Sequence, residues 1–401
     1  MENNKKGILI IGAGGVSTVA TMKCAMNIDT FEKITLASRT LMKCANIKKQ
    51  IKDKINVDIK IAMVDADKTK ELIKLIEKVN PKVVLNVALP YQDLTIMDAC
   101  SATGTHYIDT ANYEHPDEAK FEYKEQWARN DDFESNNLTA LLGSGFDPGV
   151  TGVFVKYAEQ NLLDTIEYID IMDCNAGDHG YPFATNFNPE INLREVSANG
   201  RYWEEGKWIE TKPLEIRVDH NYPEIGVKAS YLLYHEELES LCKNIKGVKR
   251  IRFFMTFGDA YIQHMNCLQN IGMLGIKEVE HNGQKIVPIE FLATLLPDPS
   301  SLGERTVGKT NIGCIMEGIK DGVRKKFYIY QICDHQESYK ETGAQAVSYT
   351  TGVPAMIGTK LVYNGTWDLN GTVNIEEFDA NPFMDELLSQ GLPWKVLEME
   401  V

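Results

Sequence analysis

The 401-residue chain is too long for one ordinary hydrophobic core, so its length predicts two domains. Hydrophobic residues make up 43% of it and charged residues 25%, a composition typical of a folded globular protein rather than a disordered chain. The formal net charge of −15 argues against a nucleic-acid surface, which needs clustered Lys and Arg. It mildly favours cationic ligands, although acidity is also ordinary in a well-solvated protein.

Membrane, exported and metal-binding proteins are also disfavoured. The first apolar run, Ile8–Ile11, is ended by glycines before it reaches the length of a signal-peptide core, and no run approaches the ~20 apolar residues of a membrane helix. We therefore expect a soluble, cytoplasmic protein. The eight cysteines contain no Cys-x-x-Cys pair and the eight histidines no His-Glu-x-x-His spacing, so we expect reduced cysteines and no metal.

Residues 1–148 alternate between short β-rich apolar runs and longer segments of helical period. This pattern predicts an α/β fold, a doubly wound Rossmann domain with a parallel sheet and crossover helices. The helical spacing is clear over Thr69–Val79, where apolar residues recur at i, i+3, i+4 and i+7. The predicted strands are Gly7–Ile11, Lys33–Ala37, Asp58–Val64, Val83–Ala88, His106–Thr110 and Thr139–Leu142.

A glycine-rich loop, Gly12-Ala13-Gly14-Gly15-Val16-Ser17, follows the first strand and leads into a helical segment. Gly12 would permit the tight turn, and Gly14 would let the backbone approach the pyrophosphate of a dinucleotide. The helix that begins near Gly15 and Val16 would direct free N–H groups at the phosphates. Ser17 replaces the third glycine of the usual pattern and is still small. A tight turn without a ligand is the alternative, but the position in the first βαβ unit favours a nicotinamide dinucleotide.

The end of the second strand, Ser38-Arg39-Thr40, distinguishes between the two nicotinamide cofactors. NAD enzymes usually place a carboxylate there for the ribose hydroxyls, whereas the 2′-phosphate of NADPH needs donors and positive charge. Two hydroxyls and a guanidinium without a nearby carboxylate predict NADPH, with NADH less favoured. Alternatively, Ser38 and Thr40 cap the next helix. Asp65, after the third strand, either borders the adenine or is an ordinary solvated turn residue.

Polar side chains follow the fourth, fifth and sixth strands, at the edge where open α/β sheets bind ligands. Asn86 and Ala88 are expected to face the cofactor, and Asp109 is a candidate catalytic residue. Candidate substrate contacts at the same edge are Tyr91, Asn112, Tyr113 and Asp147. Hydrogen bonding within the loops is the alternative role for each. Asp147 and Pro148 also have the residue types of a helix N-cap and first helical position.

From about residue 149 the pattern changes to longer, antiparallel-looking strands with tight turns. Asp321-Gly322, between two apolar runs, is a strong hairpin signal. The apolar strand Ile251–Phe257 needs cover on both faces or a partner. Val353–Leu361 and Phe383–Leu388 are predicted helices. The predicted domains are 1–148 for the dinucleotide, 149–350 for a second domain, and 351–401 for a helical segment that packs back on the first.

Motifs along nearly the whole chain carry a family resemblance. The general ones are Gly12–Val16, Ala88-Leu89-Pro90, Asp98-Ala99-Cys100, Thr105–Asp109 and Gly145–Gly149. The more specific ones are Asp173–Gly180, Phe183–Glu190 and Tyr349–Met356. Together they resemble the saccharopine dehydrogenase family, and within it the carboxynorspermidine and carboxyspermidine dehydrogenases of bacterial polyamine synthesis.

The resemblance implies a mixed α+β second domain that binds substrate and supports a homodimer. It also implies a reductive condensation, in which aspartate β-semialdehyde forms an imine with putrescine or 1,3-diaminopropane and NADPH delivers hydride to the imine carbon. This chemistry needs a cation for the substrate carboxylate, an acidic patch for the distal ammonium, a proton shuttle and exclusion of water. Three other hypotheses stay open: a saccharopine-forming dehydrogenase, a homospermidine synthase-like enzyme that retains NAD, and a non-catalytic NADP sensor.

The polar segment that contains His179 supplies candidates for these roles. His179 is the candidate proton shuttle, because the ordinary pKa of histidine lies near working pH. Further substrate contacts are expected from Asp178, Glu190 and Glu195 to the diamine, from Arg194 and Arg201 to the carboxylate, and from Asn188. Ordinary polar groups on an exposed loop, without catalytic duty, are the alternative for each.

Overall fold

The computed structural model describes residues 6–115 and 122–401. Its first part alternates strands and helices in the predicted order, and all six predicted strands are present. The predicted helix Thr69–Val79 is α4 with the same bounds. The elements are β1 (Ile8–Ile11), α1 (Gly15–Met26), α2 (Ile28–Phe31), β2 (Ile34–Ser38), α3 (Leu41–Ile55), β3 (Lys60–Met63), α4 (Thr69–Val79), β4 (Val83–Asn86), α5 (Asp93–Ala102), β5 (His106–Ile108), α6 (Lys124–Trp127), α7 (Asn130–Ser135) and β6 (Thr139–Leu142).

The second part is richer in long strands. The prediction that Asp147 caps a helix starting at Pro148 is wrong, because the helix starts at Val150. The elements are α8 (Val150–Asn161), β7 (Thr165–Asn175), α9 (Pro189–Ser197), β8 (Gly200–Glu204), β9 (Lys207–Thr211), β10 (Arg217–Tyr222), β11 (Gly226–Leu233), α10 (Glu237–Asn244), β12 (Arg250–Thr256), α11 (Asp259–Asn270), β13 (Val279–His281), β14 (Gln284–Ile286), α12 (Pro288–Leu295), β15 (Lys309–Lys320), β16 (Val323–Asp334), α13 (His335–Thr342), α14 (Ala346–Asn364), β17 (Gly371–Asn374), α15 (Asn381–Ser389) and β18 (Trp394–Met399).

The first sheet has seven parallel strands in the order β17-β6-β5-β4-β1-β2-β3, which confirms the doubly wound fold. Alternate side chains of its central strand enter different cores. Ile8 and Ile10 belong to one core, and Leu9 and Ile11 to the other. Because successive residues of a strand point to opposite faces, an almost wholly apolar β1 is what a sheet covered on both sides requires.

The second sheet is mixed, as expected, with the path β10-β11-β12-β7-β15-β16-β18. Strands β7 and β12 are parallel, and the other pairs are antiparallel. The predicted hairpin joins β15 to β16 through Asp321 and Gly322, whose φ angles are +51° and +76°. Positive φ at both turn residues matches the right-handed twist of the two strands, which explains why Asp-Gly occupies this turn.

The prediction that 351–401 is a helical segment is only partly right, because this segment also contains two strands. Helix α14 starts at Ala346, before the predicted boundary, and packs on α1. Strand β17 then pairs with β6 as the seventh strand of the first sheet, and β18 pairs with β16 in the second. The chain end therefore joins both sheets. In the described part of the chain, no helix combines the length and apolar character needed to cross a bilayer.

Candidate active site

A cleft of about 900 Å³ lies between the carboxyl edge of the first sheet and the second sheet. It is centred where β1 and β4 lie side by side. From β1 the chain continues to one side of the sheet and from β4 to the other, so the loops after them diverge and leave space for a ligand. One wall comes from the loops after β1, β2, β4, β5 and β6, and the other from β7, α9, β12 and β15.

The glycine loop forms the floor of one end. Gly12 has a φ of +119°, and a Cβ there would lie 2.3 Å from the carbonyl oxygen of Val87, so only glycine fits. Ser17 Oγ donates to the Gly12 carbonyl at 2.7 Å, so the serine fastens this turn. No side chain caps α1, which leaves its first N–H groups for phosphate. The predicted loop residues that line the cleft are Gly12, Gly14, Gly15 and Val16.

The predicted 2′-phosphate site, Ser38-Arg39-Thr40, also lines the cleft, but a carboxylate lies beside it. Arg39 Nη1 is 3.3 Å from Asp67 Oδ2, so the premise that no carboxylate is nearby is wrong. Both side chains are more than half exposed, and such an ion pair is worth only ~0–1 kcal/mol, so Arg39 can exchange Asp67 for a phosphate. Thr40 precedes α3 without capping it through its side chain. Lys43, which the motif did not include, lines the same end.

Two predicted cofactor residues lie behind the cleft wall. Asp65 is bound to Lys68 at 3.2 Å and does not line the cleft. Asn86 is buried; its amide donates to Asp93 at 2.7 Å, and its Oδ1 accepts from the N–H of Ala88 at 3.0 Å. Asn86 therefore shapes the loop after β4, and Ala88 itself lines the cleft.

Asp109 does not face the cleft either. Its oxygens accept from the N–H of Gly143 and from Gln126 Nε2, both at 2.7 Å, and burial raises its pKa to about 7. Gln126 in turn accepts from the N–H of Tyr113 at 2.9 Å, so Asp109 supports this edge of the sheet from below. Asn112 lines the cleft as predicted.

Opposite the glycine loop, four carboxyl groups and one imidazole line the cleft. We call them the acidic cluster: Asp147, Asp173, Glu195, His235 and Glu236. They come from the loop after β6, from β7, from α9 and from the segment after β11. His235 lies at the centre, where Nε2 is 3.7 Å from Glu195 and Nδ1 is 3.3 Å from Glu236 and in contact with Glu237. Its ring stacks on Phe253.

Burial and mutual repulsion keep protons on this cluster. Burial raises the pKa of Glu195 to about 8 and that of Asp173 to about 6, and raises the pKa of Asp147 well above its usual range. Burial lowers the pKa of His235, but Glu237 and Glu236 overcome that effect and raise it well above its ordinary value. His235 is therefore a cation at neutral pH. An arriving ammonium or guanidinium group would stabilise further ionised carboxylates here.

His179 lies in the cleft, as predicted. Its Nδ1 accepts from the N–H of Tyr181 at 3.1 Å, which places the proton of the neutral ring on Nε2. Burial lowers its pKa, so the ring is neutral near pH 7. Asp178 is exposed, accepts from the N–H of Gly180 and does not line the cleft. Asn188 does line it and also caps α9, accepting from the N–H of Ile191 at 3.1 Å.

The arginines predicted for the substrate carboxylate have other partners. The buried guanidinium of Arg194 lies 3.0 Å from Glu114 and 3.4 Å from Glu190, and donates to Tyr91. None of these four residues lines the cleft.

Arg201 is packed over the rings of Trp208 and Tyr234, also outside the cleft. Among the described lining residues, Lys and Arg occur only as Arg39 and Lys43, at the glycine-loop end. At the acidic end, the uncharged polar lining includes Asn175, Thr185, Asn186, Asn192, Thr256 and Thr310.

Asp173, His235 and Glu236 were missed as site residues. Asp173 opens the motif Asp173–Gly180, which by itself assigns no role to that residue. The run His235-Glu236-Glu237 places three titratable residues shortly after the end of an apolar strand. This signal could have identified His235 and Glu236.

Comparisons with known proteins agree with this geometry. A model of the saccharopine dehydrogenase NADP binding domain matches residues 8–141, and one of the saccharopine dehydrogenase C-terminal domain matches 145–392. The chain belongs to the saccharopine dehydrogenase family. This member is therefore an oxidoreductase that acts on a CH–NH bond and uses NADP(H).

Two relatives and one solved structure are similar to the chain over nearly its whole length. The chain is 53% identical to carboxyaminopropylagmatine dehydrogenase of Synechocystis sp. over 96% of both chains. It is 39% identical to carboxynorspermidine synthase of Vibrio alginolyticus over 98% of this chain and 97% of that one. Saccharopine dehydrogenase (L-Glu forming) of Saccharomyces cerevisiae has the same fold, with a TM-score of 0.73 and 14% identity over 98% of this chain and all of that one.

Proposed function

We propose that this protein joins aspartate β-semialdehyde to a cationic amine and reduces the resulting imine with NADPH. One observation carries the proposal. A single cleft has a glycine loop with Arg39 and Lys43 at one end and the acidic cluster at the other. The first end suits an anionic dinucleotide, and the second suits a substrate with positive charge.

The names of the relatives support aspartate β-semialdehyde as the aldehyde substrate and reduce the number of candidate amines. Carboxyaminopropylagmatine and carboxynorspermidine each denote an amine that carries a carboxylated aminopropyl group, which is what aspartate β-semialdehyde leaves on an amine after reduction. We propose agmatine as the amine, because the relative whose name contains it is 53% identical to this chain over 96% of both chains. A guanidinium also presents paired donors to carboxylates such as Glu195 and Glu236.

1,3-Diaminopropane is the second candidate, supported by the relatives that are 39% identical. The sequence also predicted putrescine as a substrate. Neither relative described above is named for the product that putrescine would give. One methylene changes binding by only ~1–3 kcal/mol, so diamines of different length need direct comparison.

The residues at the glycine-loop end would hold NADPH through backbone N–H groups and the side chains Ser38, Arg39, Thr40 and Lys43. When bound, the cofactor supplies hydride to the imine carbon. His179 would donate from its Nε2–H to an oxygen of the aldehyde substrate. Asn112 and Asn188, together with the uncharged Asn and Thr side chains of the wall, would hydrogen-bond the substrate carboxylate in place of Arg194 and Arg201.

The rival hypotheses fit the cleft less well. A saccharopine-forming enzyme must bind several substrate carboxylates, yet in the described lining the acidic end carries no Lys or Arg. A homospermidine synthase-like enzyme would keep its cofactor and cause no net oxidation of NADPH. A sensor would bind NADPH without turnover.

The deciding experiment follows NADPH absorbance with aspartate β-semialdehyde and, in parallel wells, agmatine, 1,3-diaminopropane, putrescine, lysine or glutamate. Mass spectrometry of the product identifies the amine that was joined. We expect the highest kcat/KM with agmatine. Oxidation of NADPH only with glutamate, or no oxidation with any amine, would contradict the proposal, and a clear preference for 1,3-diaminopropane would favour the second candidate.

A further inference from the structure

Two carboxyl groups of the acidic cluster meet where the two sheets adjoin. Asp147 follows β6 of the first sheet and Asp173 lies near the end of β7 in the second. Their side chains are hydrogen-bonded to each other, and both line the cleft. A hydrogen bond between two carboxyl groups requires that they share a proton, and like charges this close do not both ionise readily. Burial raises the pKa of both carboxyl groups, which favours a proton held between them.

The proposed reaction needs a group of this kind. The amine arrives as an ammonium ion and must lose a proton before its nitrogen can attack the aldehyde carbon. Later the hydroxyl of the carbinolamine must gain a proton before it can leave as water. One group that first accepts and then returns a proton serves both steps.

We propose that the Asp147–Asp173 pair takes the proton from the incoming ammonium and returns it to the departing hydroxyl, an inference that rests on the proposed function. Asp173 accepts the proton, and the neutral amine forms the C–N bond. The nitrogen proton then moves to the new alkoxide, giving the carbinolamine. The pair protonates that hydroxyl, the C–O bond breaks, and water and an iminium ion result. Hydride from NADPH reduces the iminium carbon to the secondary amine. The pair ends with the proton count it began with.

The surroundings favour the pair over His179 for this duty. The pair belongs to the acidic cluster, where the cationic amine is proposed to bind, whereas His179 lines the cleft outside that cluster. The charged groups that face the pair are His235, Glu195 and Glu237. Cys174, Tyr222 and Cys314 are titratable groups that also lie near it. His235 balances the negative charge that Asp173 carries before the amine binds.

The test compares wild type with Asp173→Asn, which keeps the size of the side chain and removes its ability to accept a proton. Asp385→Asn is the matched control, because Asp385 is exposed on α15 and does not line the cleft. For each protein, NADPH affinity is measured by fluorescence titration, and kcat and kcat/KM for the amine are measured from pH 5 to pH 9.

Wild type should lose kcat/KM as the pH falls through about 6, because the pair becomes fully protonated. Asp173→Asn should lower kcat by ~100-fold or more, leave NADPH affinity unchanged and abolish this acidic limb. A kcat within ~3-fold of wild type, or a retained acidic limb, would overturn the proposal, since neither follows from loss of the proton acceptor.

A second variant covers the case in which Asp173→Asn does not fold. Asp147→Ala removes the hydrogen bond that lowers the pKa of Asp173, so the acidic limb should move to higher pH; an unmoved limb would overturn the proposal. Wild-type inactivity with every amine would sink the proposed function and this inference together. Wild-type turnover with unaltered profiles in the variants would sink only the proton-transfer role.

Discussion

Nε2 of His235 lies 3.7 Å from Oε1 of Glu195, a buried oxygen that accepts no hydrogen bond in the described structure. A buried polar atom without a partner is costly, so a ligand donor that reached this oxygen would be favoured. The contact joins α9 to the segment after β11 at the acidic end of the cleft.

Glu195→Gln should weaken amine binding. The amide cannot ionise, so KM for the amine should rise ~10-fold or more, as for loss of a charge-assisted hydrogen bond worth ~1.5–3 kcal/mol. Burial raises the pKa of Glu195 to about 8, so in wild type the KM should fall as pH rises toward 8, and the variant should lose this dependence. Steady-state kinetics check both effects. Glu210→Gln, on the exposed side of β9, is the control, and equal KM values for the two variants would contradict the assignment.

Two glycine substitutions should have different consequences. Gly12→Ala places a Cβ against the Val87 carbonyl oxygen, so it should lower both the Tm and NADPH affinity. A Cβ at Gly14 meets no atom within 4 Å, so Gly14→Ala should fold normally and obstruct only the approach of the pyrophosphate. Thermal unfolding and fluorescence titration separate the outcomes. Normal NADPH affinity in Gly14→Ala would mean that the phosphates bind elsewhere.

Arg39→Ala and Lys43→Ala should each raise KM for NADPH about tenfold and change KM for NADH little, because only NADPH carries the 2′-phosphate. Lys49→Ala is the control, because Lys49 is an exposed residue of α3, the helix that contains Lys43. Kinetics with both cofactors measure the effect. If wild type prefers NADH, the assignment of Arg39 fails.

His179→Ala should lower kcat about 10- to 100-fold with little change in NADPH affinity, because the Nε2–H contact to the substrate is lost. The acidic limb of the pH profile should persist, unlike in Asp173→Asn. Turnover at the wild-type rate would remove His179 from the mechanism, and a lost acidic limb would transfer to it the proton role proposed for the carboxyl pair.

Asp109 should make the protein less stable as pH rises from about 4 to about 7. Its pKa is near 3.9 in an unfolded chain and about 7 here, where burial raises it, so in that range the folded state binds more protons than the unfolded state. This contribution is complete below pH 4 and levels off above pH 7. Tm measured across this range should therefore decline more steeply for wild type than for Asp109→Asn. Parallel declines would show that Asp109 does not titrate in this way.

Local patterns determined the first sheet and its cofactor loop, because the information lies within neighbouring residues. Thr69–Val79 shows its helix by the spacing of apolar residues, and Asp321-Gly322 shows its turn by residue type. The same holds for Gly12, whose backbone conformation only glycine adopts readily. Further motifs predicted membership of the saccharopine dehydrogenase family through their resemblance to it, and the comparisons confirm that prediction.

The tertiary structure alone decided which charged side chains reach the substrate. Arg194 was predicted to bind a carboxylate, but Glu114, 80 positions earlier in the chain, holds its guanidinium. Arg39 was predicted to lack a carboxylate partner, and the fold brings Asp67 to it. A charged group binds whichever opposite charge the fold places within a few ångströms, and sequence distance does not reveal that choice. For the same reason the acidic cluster, gathered from four separate segments, is visible only in three dimensions.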